Sequence, residues 1–240
     1  MKALIFAAGK GTRLKPFTDQ HPKALAKVNG IPLLERNIKY LQSFGINDFV
    51  INIHHFGNQI LDFLKENNYF DANIEISDET NELLETGGGM MFARPFLEKE
   101  SHFLVMNADI LTNLDITKLV DFHLSSNRMV TLAVSDRKSS RKLLFDQNKI
   151  LCGWTNKNTG ELKLSETNNT LKELAFSGIH CISSEIFSRI KRKGKFSIID
   201  EYLDLMNEKV IIGYEHDALL IDVGKPEAIT EAEKYFYDRQ

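Results

Sequence analysis

Short apolar runs alternate with helical patterns through the first half of this chain, and that alternation constrains the fold more than any other feature. Residues 3–8 read as a strand, 33–44 as a helix, 49–53 as a strand and 58–66 as a helix. The series continues with a strand at 74–77, a helix near 90–93 and a strand at 103–107. Strands that are apolar without alternation are covered on both faces, which is the condition of a parallel sheet between helices. The rhythm therefore predicts an α/β fold built from βαβ units, with a mixed, mostly parallel sheet and helices on both of its faces.

Beyond a helix at 115–124 and a strand at 130–134 the pattern loosens into a polar stretch at 135–170, with a β-meander expected around 150–154. This stretch carries Arg137, Lys138, Arg141 and Lys142, and it reads as an insertion at about 135–175 in a single domain spanning 1–240. A strand at 174–181, helices at 184–191 and 199–207, strands at 210–213 and 219–222, and a closing helix from Pro226 complete the expectation.

Composition excludes several classes. With 30 Lys and Arg against 33 Asp and Glu, the formal charge of −3 offers no whole-chain attraction to nucleic acid or to an anionic membrane. A site for a polyanion must then be local. The longest apolar runs, at 4–8 and 49–53, are far too short to span a bilayer, and Met1-Lys2 leads directly into a strand instead of a signal peptide. A cytoplasmic monomer or small homo-oligomer is expected. Cys152 and Cys181 lack CxxC spacing and read as reduced structural thiols, and the histidines show neither HExxH nor another metal spacing.

The first strand runs into Ala7-Ala8-Gly9-Lys10-Gly11-Thr12-Arg13-Leu14-Lys15-Pro16, at the place where open α/β sheets bind ligands. Gly9 and Gly11 are free to take positive φ and turn backbone N–H groups toward a phosphate, while Arg13 adds a planar, permanently charged fork. It is neither a Walker A loop nor a dinucleotide fingerprint, because GxxxxGK[ST] is absent and Leu14 stands at the third glycine of GxGxxG. A Gly-rich turn after a strand is also a common plain connection. Asp109 ends one apolar strand and Asp222 another, so both carboxylates are expected at the same rim of the sheet. Two hard oxygen donors suit Mg²⁺, and a helix N-cap is the competing role for an Asp in such a place.

Residues 4–16 together with Pro22-Lys23-Ala24-Leu25 resemble the signature of the sugar-1-phosphate nucleotidyltransferases. Leu84-Glu85-Thr86-Gly87-Gly88-Gly89, Asn107-Ala108-Asp109, Phe176-Ser177-Gly178-Ile179 and Asp222-Val223-Gly224 extend the resemblance in order along the chain. It implies the Rossmann-like fold of the nucleotide-diphospho-sugar transferases, and transfer of a nucleotide from a nucleoside triphosphate to a sugar 1-phosphate with loss of pyrophosphate.

The resemblance assigns catalysis to Arg13 and Lys23, and nucleotide binding to Ala8, Gly9, Gly11, Thr12, Arg13, Thr86, Gly87 and Gly88. It makes Asp109 and Asp222 the ligands of a Mg²⁺ cofactor and puts Asn107 and Gly178 beside the sugar. The insertion would lie on the sugar side. The glycine run 87–89 is costly in a capped helix, and backbone lying close to a flat base is its expected reason.

The compact length, the Leu-Glu-Thr-Gly-Gly-Gly box and the Phe-Ser-Gly-Ile segment look most like the family members that use UTP and N-acetylmuramate 1-phosphate in cell-wall recycling. That acceptor carries a carboxylate, for which Arg141 is the expected partner, Lys142 the second choice and a merely solvated basic loop the alternative. Transfer of GMP to mannose or heptose 1-phosphate, transfer of CMP to phosphocholine, and a non-catalytic nucleotide-sugar sensor remain as other readings. Longer relatives carry a Glu-Lys-Pro box and a C-terminal β-helix domain, and this chain shows neither.

Overall fold

The computed structural model describes residues 1–165 and 170–237. In chain order the elements begin with β1 (Lys2–Phe6), β2 (Lys27–Val28), β3 (Ile31–Pro32), α1 (Leu33–Gln42), β4 (Asp48–Ile53), α2 (Gly57–Glu66) and β5 (Asn73–Asp78). Then come α3 (Glu85–Phe92), α4 (Arg94–Leu97), β6 (His102–Asn107), β7 (Ile110–Thr112), α5 (Ile116–Ser126) and β8 (Val130–Ser135). The remainder is β9 (Arg141–Phe145), β10 (Leu151–Asn156), β11 (Glu161–Leu164), β12 (Lys172–Ser183), α6 (Ile198–Asp204), β13 (Ile211–Glu215), β14 (Leu220–Asp222) and α7 (Pro226–Ala232).

The central sheet is mixed and mostly parallel. Strands β5, β4, β1 and β6 run parallel in that spatial order, β12 follows antiparallel to β6, and β8 pairs with β12 and, in parallel, with β13. The apolar runs of β1, β4 and β6 are buried on both faces, as unalternating strands require. One face packs Ile5, Ile51 and Leu104 under α1, α2 and α5, and the other packs Leu4, Val50 and Phe103 under α3, α4 and α6. A smaller cluster around Leu14, Val28, Leu111 and Ile221 sits under α7.

Strand β12 is twelve residues long because it serves two sets of partners. Its first residues, Lys172–Leu174, pair with β9, from which β10 and β11 continue antiparallel outward, and its last pair with β6. Between them the register against β8 slips from Phe176 to His180, a bulge at Ser177-Gly178 where Gly178 takes φ +74°. The expected insertion therefore forms β9, β10 and β11 on the start of β12, with residues 166–169 outside the described residues.

Two expectations shift at their edges. The helix expected at 184–191 is a 3₁₀ segment at Ser184–Ser188, and the one at 199–207 is α6 followed by a 3₁₀ turn at Met206–Glu208. Pro95 lies past the end of α3 and stands in the first turn of α4, where its missing N–H costs nothing.

Candidate active site

The loop after β1 folds back on itself through Gly11. At φ +60° its carbonyl turns back into the loop, Leu14 N donating to Gly11 O at 2.8 Å and the Thr18 hydroxyl to the same oxygen at 2.9 Å. A Cβ on Gly11 would stand 2.8 Å from Thr18 Cγ2 and 2.9 Å from Lys23 Cβ, so only glycine lets the loop press against Lys23. Burial of Leu14 anchors the short 3₁₀ turn Thr12–Leu14, which leaves Arg13 at the surface of the cleft.

Asp109 lies between β6 and β7, and Asp222 ends β14. Strands β7 and β14 pair antiparallel with Asp222 opposite Ile110, and Val223 N donates to Asp109 O at 2.8 Å. The two carboxylates are thus fixed on neighbouring backbone at the carboxyl end of β6. Lys23 Nζ donates to Asp109 Oδ2 in a direct ion pair. At Gly224 a Cβ would meet Asp222 Oδ1 at 2.7 Å and Arg13 Nη2 at 2.8 Å, so the Asp-Val-Gly turn needs glycine to let Arg13 and Asp222 close on each other.

The electrostatics follow from this crowding. Burial and then the Asp109 charge hold the Asp222 carboxyl above the usual carboxylate range, and Lys23, Arg13 and Arg137 oppose the rise. Two carboxylates that repel, with hard oxygen donors and no third acidic or imidazole partner among the described residues, match the donor set that Mg²⁺ takes when phosphates complete its shell.

Ala8, Gly9, Gly11, Thr12, Arg13, Lys23, Thr86, Asn107 and Asp109 line one cavity of about 490 Å³, which Asp222 adjoins through Arg13 and Gly224. Gly178 is brought to the same corner, since a Cβ there would be 3.1 Å from Asn107 Nδ2. Gly87 and Gly88 do not line it. They are buried inside α3, where a Cβ would meet the Phe196 ring at 2.3 Å or Gly194 O at 2.2 Å. Phe196 O accepts from Gly87 N at 2.9 Å, and Thr86 Oγ1 accepts from Ile198 N at 3.0 Å. The close neighbour that calls for these glycines is therefore the chain leading into α6, which corrects the expectation that they make room for a flat base.

Arg141 is also placed apart. It opens β9, exposed, and lines a second cavity of about 540 Å³ with Arg137, Lys142, Trp154 and Phe176, which meets the first at Ser197. Trp154 and Phe176 are half-buried on this wall and pack against the core behind it. Arg137 reaches nearer the carboxylates, donating from Nη2 to Phe176 O at 2.8 Å while burial pulls its pKa down and the Asp222 charge holds it up.

Sequence reasoning also missed Asn52 and Glu79, and it named Gly224 without giving it a role. Asn52 had a signal, a polar residue near the carboxyl end of an apolar strand on the binding rim, whereas Glu79 sits in a loop with none.

Residues 2–145 match the family model described as Nucleotidyl transferase. The chain is 30% identical over 239 residues to the N-acetylmuramate alpha-1-phosphate uridylyltransferase of Neisseria meningitidis serogroup B, covering 97% of each. It is 26% identical over 228 residues to the mannose-1-phosphate guanyltransferase 2 of Candida glabrata, covering 94% of this chain and 62% of that one. Among solved structures, HddC from Yersinia pseudotuberculosis complexed with GMP-PN is similar at TM-score 0.78 and 24% identity, covering 98% and 99% of the two chains. A putative glucose-1-phosphate thymidylyltransferase from Bacillus anthracis is similar at TM-score 0.83 and 19% identity, covering 100% and 96%. The last two likenesses show the fold.

Proposed function

This chain belongs to the nucleotidyl transferase family, and from that premise we propose that its main cleft joins a nucleoside triphosphate to a sugar 1-phosphate. A sugar-phosphate oxygen, already ionised near neutral pH, attacks the α-phosphorus. A new P–O bond forms, the bond to the β-phosphate bridge breaks, and pyrophosphate leaves, so no protein base is needed.

What the site must supply is positioning and charge. Arg13 holds the triphosphate and the leaving pyrophosphate, and Lys23 stands between the two anions as they converge. Asp109 and Asp222 would hold Mg²⁺, whose charge offsets that developing on the phosphates. Ala8, Gly9, Gly11 and Thr12 face the triphosphate, Thr86 the nucleoside, and Asn107 and Gly178 the sugar. The observation that carries this reading is the meeting of Lys23, Asp109, Asp222 and Arg13 at one rim. A binding-only sensor has no use for that set.

UTP is the proposed donor and N-acetylmuramate 1-phosphate the proposed acceptor, on the strength of the full-length relative that bears those names. Arg141 in the second cavity is the proposed partner of the acceptor carboxylate, because the shared Ser197 makes that cavity a continuation of the cleft. The guanyltransferase relatives support a second reading, GTP with mannose 1-phosphate. Pyrophosphate release from a matrix of the four common triphosphates against N-acetylmuramate, N-acetylglucosamine and mannose 1-phosphates separates the two. A best rate with UTP and the muramate is expected, and equal kcat/KM for both amino sugars, or a GTP and mannose optimum, would remove the muramate reading.

A further inference from the structure

Asn52, near the end of β4, and Glu79, immediately after β5, lie beneath the main cavity and are almost wholly buried, 2% and 3% exposed. The donors around Asn52 fix its orientation. Ala7 N and Ala8 N both donate to its Oδ1, at 2.7 and 3.3 Å, so the amide oxygen must face the phosphate loop and the nitrogen must face away. That nitrogen donates to Glu79 Oε1 at 2.7 Å.

The other carboxylate oxygen of Glu79 accepts from Leu84 N at 3.2 Å, at the residue that caps α3. The Glu79 carbonyl accepts from His54 Nδ1 at 2.7 Å. A Cβ on Gly89 would stand 2.6 Å from Glu79 Oε1 and 3.1 Å from Asn52 Nδ2, so the third glycine of the run makes room for this pair.

A buried carboxylate is costly, and here no Lys or Arg among the described residues forms an ion pair with it. Burial pushes the Glu79 carboxyl up, while Asn52, the Leu84 amide and His54 work against that push. Both of its oxygens face donors, so a proton on either would find no acceptor. The apolar clusters on the two faces of the sheet do not include it. Through Asn52 on one side and Leu84 on the other it joins the phosphate loop to the start of α3, the two segments that the nucleotide would touch at either end.

We infer that Asn52 and Glu79 are a positioning pair that locks the phosphate loop to the start of α3, holding the triphosphate grip and the base-side wall of the cleft in one register. The inference rests on the reading of the main cleft as the nucleotide site.

Glu79→Gln tests it with a sign. The variant keeps the shape but turns an N–H₂ toward a donor, while removing a negative charge from beneath a polyanion. Charge alone would tighten nucleotide binding, whereas a broken lock must weaken it. Titration calorimetry of the full chain with UTP and Mg²⁺ is expected to show Kd rising about 10-fold, the order for one buried donor left without its acceptor. KM for the sugar 1-phosphate should stay unchanged.

Adding Asn52→Asp to Glu79→Gln reverses donor and acceptor across the pair, so the double variant is expected to melt above the single one, and it carries the comparison if the single variant does not fold. A UTP Kd that is unchanged or lower, a parallel rise in the acceptor KM, or a double variant that melts no higher would overturn the pair. A wild type that binds UTP without releasing pyrophosphate removes the transfer reading and leaves the pair to be judged on Kd. A wild type that binds UTP no better than GTP moves the same comparison to GTP, and one that binds none of the four common triphosphates overturns both.

Discussion

Lys23 and Asp109 touch directly, and Lys23 packs against a turn whose Gly11 leaves no room for a Cβ. With Asp222 close by, removing Lys23 leaves two repelling carboxylates short of a cation, and removing Asp109 leaves one charged oxygen donor fewer where the phosphates would meet. Asp109→Asn and Lys23→Ala are each expected to lower kcat by about 10²-fold or more, the scale of one preorganised electrostatic contact, with the circular dichroism of the folded chain retained. Full kcat in Lys23→Ala would end its bridging role.

In the second cavity Arg141→Ala is expected to cost about 1–3 kcal/mol of preference for the acidic acceptor and nothing on an uncharged one, read as a ratio of kcat/KM values. At this scale the sequence speaks where chemistry sits directly after a strand. Asp109 announces itself by that position and Arg13 by the Gly-rich loop after β1, whereas Lys23 stands out only through the resemblance, and Arg137 does not stand out from its basic run because its contact with Phe176 O joins residues some forty apart.

Among the elements, α3 shows how a local rule can mislead. Glycines are poor helix formers, so three in a row argue for an irregular loop or a ligand at the backbone, yet they stand inside a helix whose face is closed by Phe196 and Gly194. Space separates the roles of the glycines. Gly88→Ala would drive a Cβ to 2.2 Å from a backbone oxygen that cannot swing aside, so it should lower the melting temperature by several degrees, reflecting about 1–3 kcal/mol of overpacking.

Gly9 has nothing within 4 Å of its missing Cβ. Gly9→Ala should therefore melt like the wild type while weakening UTP binding, and unchanged UTP affinity would take Gly9 out of the triphosphate site. Strands β1, β4 and β6 and helices α1 and α2 are legible from periodicity, since burial on two faces or one leaves its mark residue by residue. The two-partner length of β12 and the short β7–β14 ladder are not, because both answer to strands distant in sequence.

For the whole molecule, two buried histidines set an acid limit. Burial lowers His180 to about 3, and burial with the nearby His102 lowers His123 to about 4, against an ordinary imidazole near 6.5. The unfolded chain then binds protons that the folded one refuses, so the stability these two histidines contribute is full above pH 6.5 and is lost as pH falls from there toward 3. Thermal melts between pH 7.5 and 5 should show that decline, and His180→Phe, whose ring would lie between Phe176 and Tyr202, should flatten it.

The central claim concerns the cleft as a unit: a triphosphate, a sugar 1-phosphate and Mg²⁺ must be present together for it to act. The decisive measurement is pyrophosphate release by the full-length chain from UTP and N-acetylmuramate 1-phosphate, with each component omitted in turn and the nucleotide-sugar counted by mass spectrometry. Release in step with nucleotide-sugar formation, and only with all three present, is the expected result, while release that persists without the acceptor, or none with any pairing of triphosphate and sugar 1-phosphate, would contradict it.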